Sequence, residues 1–154
     1  MKIFFIILTV LSFGCATTEN VPVGMTQEQV STEQEAIKAM IDQLAITWNE
    51  EDFKKYYSLW DNNSELITRE GEIYRLSKAY AEQVINNFQH QKSRVGNIKY
   101  EIKWVKLASS TAATGFAEYT CTTCYKGGIG KVSVKFKFVK NNGQWLVKLR
   151  DMSQ

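Results

Sequence analysis

The chain has 154 residues, 44% of them hydrophobic and 23% charged, with one proline and a formal net charge of +3. That composition excludes a disordered or collagen-like chain, and once an N-terminal segment is set aside the length leaves space for one domain, not two. The charge is uneven: residues 32–91 hold six Lys/Arg against eleven Asp/Glu, and residues 92–154 hold twelve against three, so the second half offers a basic surface unless the fold brings the halves together.

Lys2 precedes an apolar run from Ile3 to Leu11. A membrane-crossing helix needs roughly twenty apolar residues, so this shorter run predicts the core of an export signal. The following Ser12-Phe13-Gly14-Cys15 resembles a lipobox, in which the cysteine is lipidated and becomes the new N-terminus. Leu11 lies one place further from Cys15 than in that pattern, and Phe13 fills a usually small position. The competing reading is an ordinary signal peptide cut near Ala16. Acyl chains on Cys15 would hold the protein to a membrane, each buried methylene adding about 0.8 kcal/mol. Ala16-Thr17 then resembles sorting to the outer membrane, facing the periplasm, where the organism has two membranes. The expected organisation is a signal peptide over 1–14, a lipid-anchored tether over 15–31 and a folded domain over 32–154.

Thr32-Glu33-Gln34-Glu35 has the spacing of a capping box, which predicts a helix start. Ile37, Met40, Ile41, Leu44 and Trp48 then recur on one helical face. Asp52 is placed to cap a second, shorter helix carrying Phe53, Tyr56, Tyr57 and Trp60, and Asp61-Asn62-Asn63-Ser64 reads as a turn. A short extended piece over residues 65–68 leads to a turn at Gly71 and a brief strand at Ile73 and Tyr74. Ser77 caps a third helix with Tyr80, Ala81, Val84, Ile85 and Phe88 on its apolar face, and His90 near its end.

Beyond Gly96 the apolar period changes from 3.6 to 2. Ile98, Tyr100, Ile102 and Trp104 alternate with Lys99, Glu101 and Lys103. A second strand is expected from Ala112 to Tyr125, and after a turn at residues 126–130, Val132, Val134, Phe136 and Phe138 alternate with Lys131, Ser133, Lys135 and Lys137. Asn141-Asn142-Gly143 is a hairpin signal leading to Trp145, Val147 and Leu149 on the apolar side. Helices first and a four-strand meander last predict an α+β fold: three N-terminal helices packed on a curved, mainly antiparallel sheet of four to six strands.

The Trp48-Asn49-Glu50-Glu51-Asp52-Phe53 segment, Leu59-Trp60-Asp61 and the terminal Asn142-Gly143-Gln144-Trp145-Leu146-Val147, in this order of elements, resemble the nuclear transport factor 2-like superfamily. Its cone-shaped fold includes SnoaL-like and ketosteroid-isomerase-like proteins. The likeness covers about 120 residues and implies a pocket between helices and sheet. It does not bring isomerase chemistry. By rough register the catalytic tyrosine of those enzymes falls at Leu44, the carboxylate base near Thr68 and the proton-donating acid near Phe136. Leu44 and Phe136 have no donor for an oxyanion, and Thr68 is no base for abstracting a carbon-bound proton, so each position lacks what its role in that mechanism requires.

Among other groups, His90 is the only histidine and reads as a solvated helix-end residue, so no metal site and no cofactor is expected. Cys121-Thr122-Thr123-Cys124 is a lone C-x-x-C. In a straight strand the two thiols lie on opposite faces, too far apart to bridge; a turn at Thr122-Thr123 permits a structural disulfide, and redox catalysis is a third option. Leu44, Trp48, Tyr56, Trp60, Trp104, Tyr119 and Phe136 either line an apolar pocket or fill the core. Lys99, Lys103, Lys131, Lys135, Lys137 and Lys148, with Arg150, fall on the outward parity of the strands. They are either a solvated face or a docking surface for anionic lipid or an acidic envelope partner. No strand interleaves aromatic with basic residues in the way a nucleic-acid surface does.

Three functions stay open. The first is non-catalytic binding of a small apolar ligand or envelope partner by a membrane-anchored lipoprotein. The second is a SnoaL-like enzyme using Tyr56 or Tyr57 with Asp61 on a small hydrophobic substrate. The third is a structural envelope component assembling through the sheet face.

Overall fold

The computed structural model describes residues 21–124 and 131–153. Cys15 and the turn at residues 126–130 lie outside them. Three helices, α1 (Gln27–Asn49), α2 (Phe53–Ser58) and α3 (Ala81–Val95), pack on one face of a curved six-stranded sheet. The strands are β1 (Trp60–Ile67), β2 (Ile73–Leu76), β3 (Ile98–Ser109), β4 (Ala112–Cys121), β5 (Lys131–Asn141) and β6 (Gln144–Asp151). Their order is β2-β1-β6-β5-β4-β3. Every pairing is antiparallel except β1 with β6. The meander expected from the period-2 region is present, and the β1-β2 hairpin extends the sheet beyond β6.

Helix α1 starts six residues earlier than expected from a cap at Thr32. Thr26 is the cap: its hydroxyl accepts from Gln29 N, and the Gln29 side chain accepts from Thr26 N. Thr32 lies inside the helix, donating to Glu28 O at 2.9 Å. Two capping sequences follow one another here, and the earlier one prevails because it adds Val30, buried seven residues before Ile37, to the apolar stripe. Asp52 caps α2 as expected, accepting from Lys55 N at 3.1 Å. Ser77 opens a 3-10 turn, Lys78–Tyr80, that leads into α3.

Asp61-Asn62-Asn63-Ser64 is not a turn between elements. It lies within β1, where Asn63 adopts φ +56° and the register against β6 shifts between Trp60 and Glu65. The turn-forming residues are absorbed as an irregularity, which a strand tolerates when its partner supplies the missing contacts. The hydroxyl of fully buried Ser64 lies between Val147 O of β6, at 3.0 Å, and Asp61 O of its own strand, its one proton shared between them. Asn142 and Gly143 adopt φ +50° and +81° between β5 and β6, the left-handed pair that a tight hairpin needs.

Two further bulges decide which side chains face the core. In β3, Ile102 opposes Ala117 but Trp104 opposes Phe116, so Lys103 is an extra residue. Parity flips there, and Val105 rather than Trp104 turns inward. In β6, Val147 opposes Phe138 and Leu149 opposes the adjacent Lys137, making Lys148 the extra residue. Arg150 therefore turns inward and is buried, contrary to its expected outward position, and Leu149 leaves the apolar face that continues through Trp145 and Val147.

Candidate functional site

The C-terminal end of α1 is bound to the start of β3. Trp48 Nε1 donates to Gly96 O at 2.8 Å, and the Asn49 amide both donates to Ile98 O and accepts from Ile98 N, at 2.9 and 2.8 Å. Lys92 on α3 donates to Trp48 O and to Asn97 Oδ1. These contacts hold α3 against α1 but leave it apart from the β1-β2 hairpin. Between them and the concave face of β4–β6 lies a cavity of about 920 Å³.

Its walls are aromatic and aliphatic: Trp48, Tyr56, Leu76, Val84, Phe88 and Tyr119. Trp48, Tyr56 and Phe88 meet edge to face, with centroids 5.0 to 6.1 Å apart, a geometry that fixes the rings as well as burying them. The mouth is polar, with Arg69, Glu70, Glu72, Arg75 and Arg94 exposed around it.

On the sheet side of the cavity is Arg150, 7% exposed. Its Nη1 donates to Tyr100 Oη at 3.0 Å and Tyr56 Oη at 3.3 Å, and its Nη2 to the Met152 thioether at 3.5 Å. The guanidinium stands 5.5 Å from the Tyr119 ring centroid. Nε is buried without a hydrogen-bond partner. Burial pushes the Tyr56 and Tyr100 hydroxyls above their ordinary range, so both are neutral at physiological pH. For Arg150 burial opposes the charge, but its hydrogen bond to Tyr100 favours it, and a guanidinium stays a cation in a protein.

Of the expected pocket residues, Trp48, Tyr56 and Tyr119 line the cavity. Leu44, Trp60 and Phe136 are fully buried in the core beside it. Trp104 is on the opposite face, 39% exposed and stacked on Phe116 with Lys106 above it, because of the bulge at Lys103. Thr68 is at the cavity but Leu44 and Phe136 are not. Neither Tyr57 nor Asp61, expected partners in an enzymatic reading, lines the cavity. Asp61 instead accepts from Lys148 at 3.0 Å and Asn141 at 2.6 Å. Strict period-2 alternation puts Arg150 on the outer face, as it puts Trp104 and Leu149 on the inner one; the later Met152, apolar and in phase with Arg150, is in keeping with the inward parity.

Strand β4 ends at Cys121 and the chain turns at Thr122-Thr123, bringing the Cys121 and Cys124 Cα atoms to 5.5 Å with the sulfurs joined as a disulfide. Of the expected basic face, Lys99, Lys103, Lys131, Lys135 and Lys137 are exposed. Lys103 and Lys131 each pair with Glu101 and Glu118. Lys148 is half-buried on Asp61, and Lys140 pairs with Glu33 at 2.6 Å. These last two ion pairs bring the acidic and basic halves of the sequence together. Among the described residues no three His, Cys, Asp or Glu side chains gather as a metal site would require, and no helix is long and apolar enough to cross a membrane.

No family model and no curated protein matches the chain. Solved structures do. An NTF-2 like protein of unknown function from Shewanella oneidensis MR-1 superimposes with a TM-score of 0.63 at 16% identity, over 76% of this chain and 95% of that one. A domain of unknown function with a cystatin-like fold from Nostoc punctiforme gives 0.63 at 15% identity, over 84% and 80%. An NTF2-like protein from Novosphingobium aromaticivorans gives 0.59 at 16%, over 79% and 81%. At such identities the likeness concerns architecture alone, and with three helices seated on a curved, mainly antiparallel sheet it shows that this chain adopts the nuclear transport factor 2-like cone fold.

Proposed function

We propose that this chain is an exported lipoprotein, anchored through Cys15, whose cone-shaped domain binds a small molecule with an apolar body without transforming it. The observation that carries the binding reading is the cavity of about 920 Å³ walled by Trp48, Tyr56, Val84, Phe88 and Tyr119. Its size and its apolar walls with a few convergent polar groups are those of a ligand site. The non-catalytic part is supported by the groups at hand. The carboxylates on the lining, Glu70 and Glu72, are exposed at the mouth, and Tyr56 on the wall, with Tyr100 behind it, stays protonated because burial raises its pKa, so no tyrosinate is on hand to abstract a proton.

Binding is tested with a neutral naphthalene probe, read by quenching of tryptophan fluorescence, with Trp48 on the cavity wall as the reporter. Saturable binding is expected, lost in Val84→Trp, which fills the cavity from α3. Binding that survives Val84→Trp in a folded protein would overturn the site. Cys15→Ser is expected to release the protein from membranes and abolish palmitate labelling; retention in salt-washed membranes would overturn the anchor.

A further inference from the structure

Arg150 is a buried cation with no counter-ion among the described residues, and of the three buried polar atoms without a hydrogen-bond partner there, Tyr57 Oη, Trp60 Nε1 and Arg150 Nε, it supplies the only charged one. Among the described residues no carboxylate lies within ion-pair distance of it. A guanidinium carries five N–H donors. Two are taken by the neutral hydroxyls of Tyr56 and Tyr100, one by the weak thioether acceptor of Met152, and Nε has no partner. The underused edge is thus Nε–H with the neighbouring Nη2–H, the parallel fork that receives a carboxylate through two hydrogen bonds. Removing a charge from water is costly unless it is paired and hydrogen-bonded, so a fold that keeps an unpaired arginine at a cavity wall leaves a strong unmet interaction there.

Resting on the reading of the cavity as a binding site, we infer that its ligand is a monocarboxylate with a flat apolar body, the carboxylate displacing the Met152 thioether to bind the Nε/Nη2 edge of Arg150. One cation faces one negative charge, and the Trp48, Tyr56, Phe88 and Tyr119 rings take the body; the mouth carries both signs, Arg69, Arg75 and Arg94 with Glu70 and Glu72, Arg75 being paired with Glu65, so the selectivity rests on Arg150. A phosphate would bring two charges and three acceptor oxygens to one free edge in an apolar recess.

The test compares 2-naphthoate, 2-naphthamide and 2-naphthyl phosphate on the purified protein by titration calorimetry near pH 7. Naphthoate is expected to bind at least about tenfold more tightly than the amide. Arg150→Met is expected to remove that preference while amide binding persists, and Arg150→Lys, which keeps the charge but not the fork, to restore only part of it. The wild-type ranking stands alone should the variants fail to fold. Equal binding of acid and amide would overturn the carboxylate inference and leave the cavity as a site for neutral molecules. Tighter binding of the phosphate would overturn it in favour of another anion. Failure of all three to bind would overturn the cavity reading and this inference with it.

Discussion

On the outer face of the sheet, Lys103 and Lys131 share the carboxylates of Glu101 and Glu118, all of them reached by water, whereas on the concave face Arg150 is buried among tyrosines with no carboxylate of the described residues beside it. Most of the charge is outside, yet the consequential charge is the one inside. Exposed ion pairs of this kind are worth about 0–1 kcal/mol each because water already solvates both partners. A buried cation interacts through a medium of low effective dielectric, where a ligand charge of opposite sign counts for several times more. Charge density along the sequence therefore points to the outer face and passes over the buried cation.

The inner face also holds a fully partnered polar group, and breaking it should have the largest effect. Trp145 is 4% exposed, and its Nε1 donates to Glu33 Oε2 at 2.6 Å. Trp145→Ala is expected to lower stability by about 3–5 kcal/mol, measured from urea midpoints at constant slope. An unchanged midpoint would show that β6 presents this face to solvent.

Glu33 connects Trp145 to Lys140, and hydrogen bonds from Lys140 and Trp145 hold its carboxyl below the ordinary value of 4.5. A depressed folded-state pKa means a stabilisation that is complete above the unfolded value and lost as pH falls through the folded one. Glu33→Gln is expected to cost about 1–2 kcal/mol at pH 7. The difference from wild type should shrink as pH drops below about 4.5. A penalty independent of pH would remove the ionic part of this account.

Arg150→Met sharpens the contrast between an interior charge that is ion-paired, as Glu33 is, and one that is only hydrogen-bonded. Replacing an unpaired buried charge by an apolar side chain of similar length removes the cost of keeping that charge from water, which offsets the hydrogen bonds lost to Tyr56 and Tyr100. Stability is therefore expected to fall by no more than about 1 kcal/mol while the preference for naphthoate is lost. A loss of 3 kcal/mol or more, of the order seen when one partner of a buried ion pair is removed, would mean that Arg150 is a structural keystone.

The smallest effect is expected on the outside. Reversing Lys135 and Lys137 to Glu together should shift the midpoint by under about 0.5 kcal/mol, as exposed substitutions do. A larger change would show that this face is not simply solvated. Chemical crosslinking of wild-type protein in intact cells, followed at Lys135 and Lys137, distinguishes a docking face from a solvated one by whether the same partner is captured repeatedly.

By itself the sequence determined the kinds of elements and their order. The stripe Ile37, Met40, Ile41, Leu44 and Trp48, the cap at Asp52, the period-2 alternation after Gly96 and the Asn142-Gly143 turn are local signals, and the structure follows each. What only the tertiary structure decided was parity after a bulge. A strand's side chains alternate with a period of two, so one inserted residue transfers every later one to the other face. Lys103 and Lys148 are such insertions. They send Trp104 out of the pocket assigned to it and bring Arg150 in from the basic face. Nothing at either position marks the extra residue, because a bulge is fixed by the neighbouring strand's hydrogen bonds and by the curvature the helices impose. The same limit applied to Cys121 and Cys124, whose pairing depended on where β4 ends. Local chemistry thus specified the cone, while long-range register determined which charge it encloses.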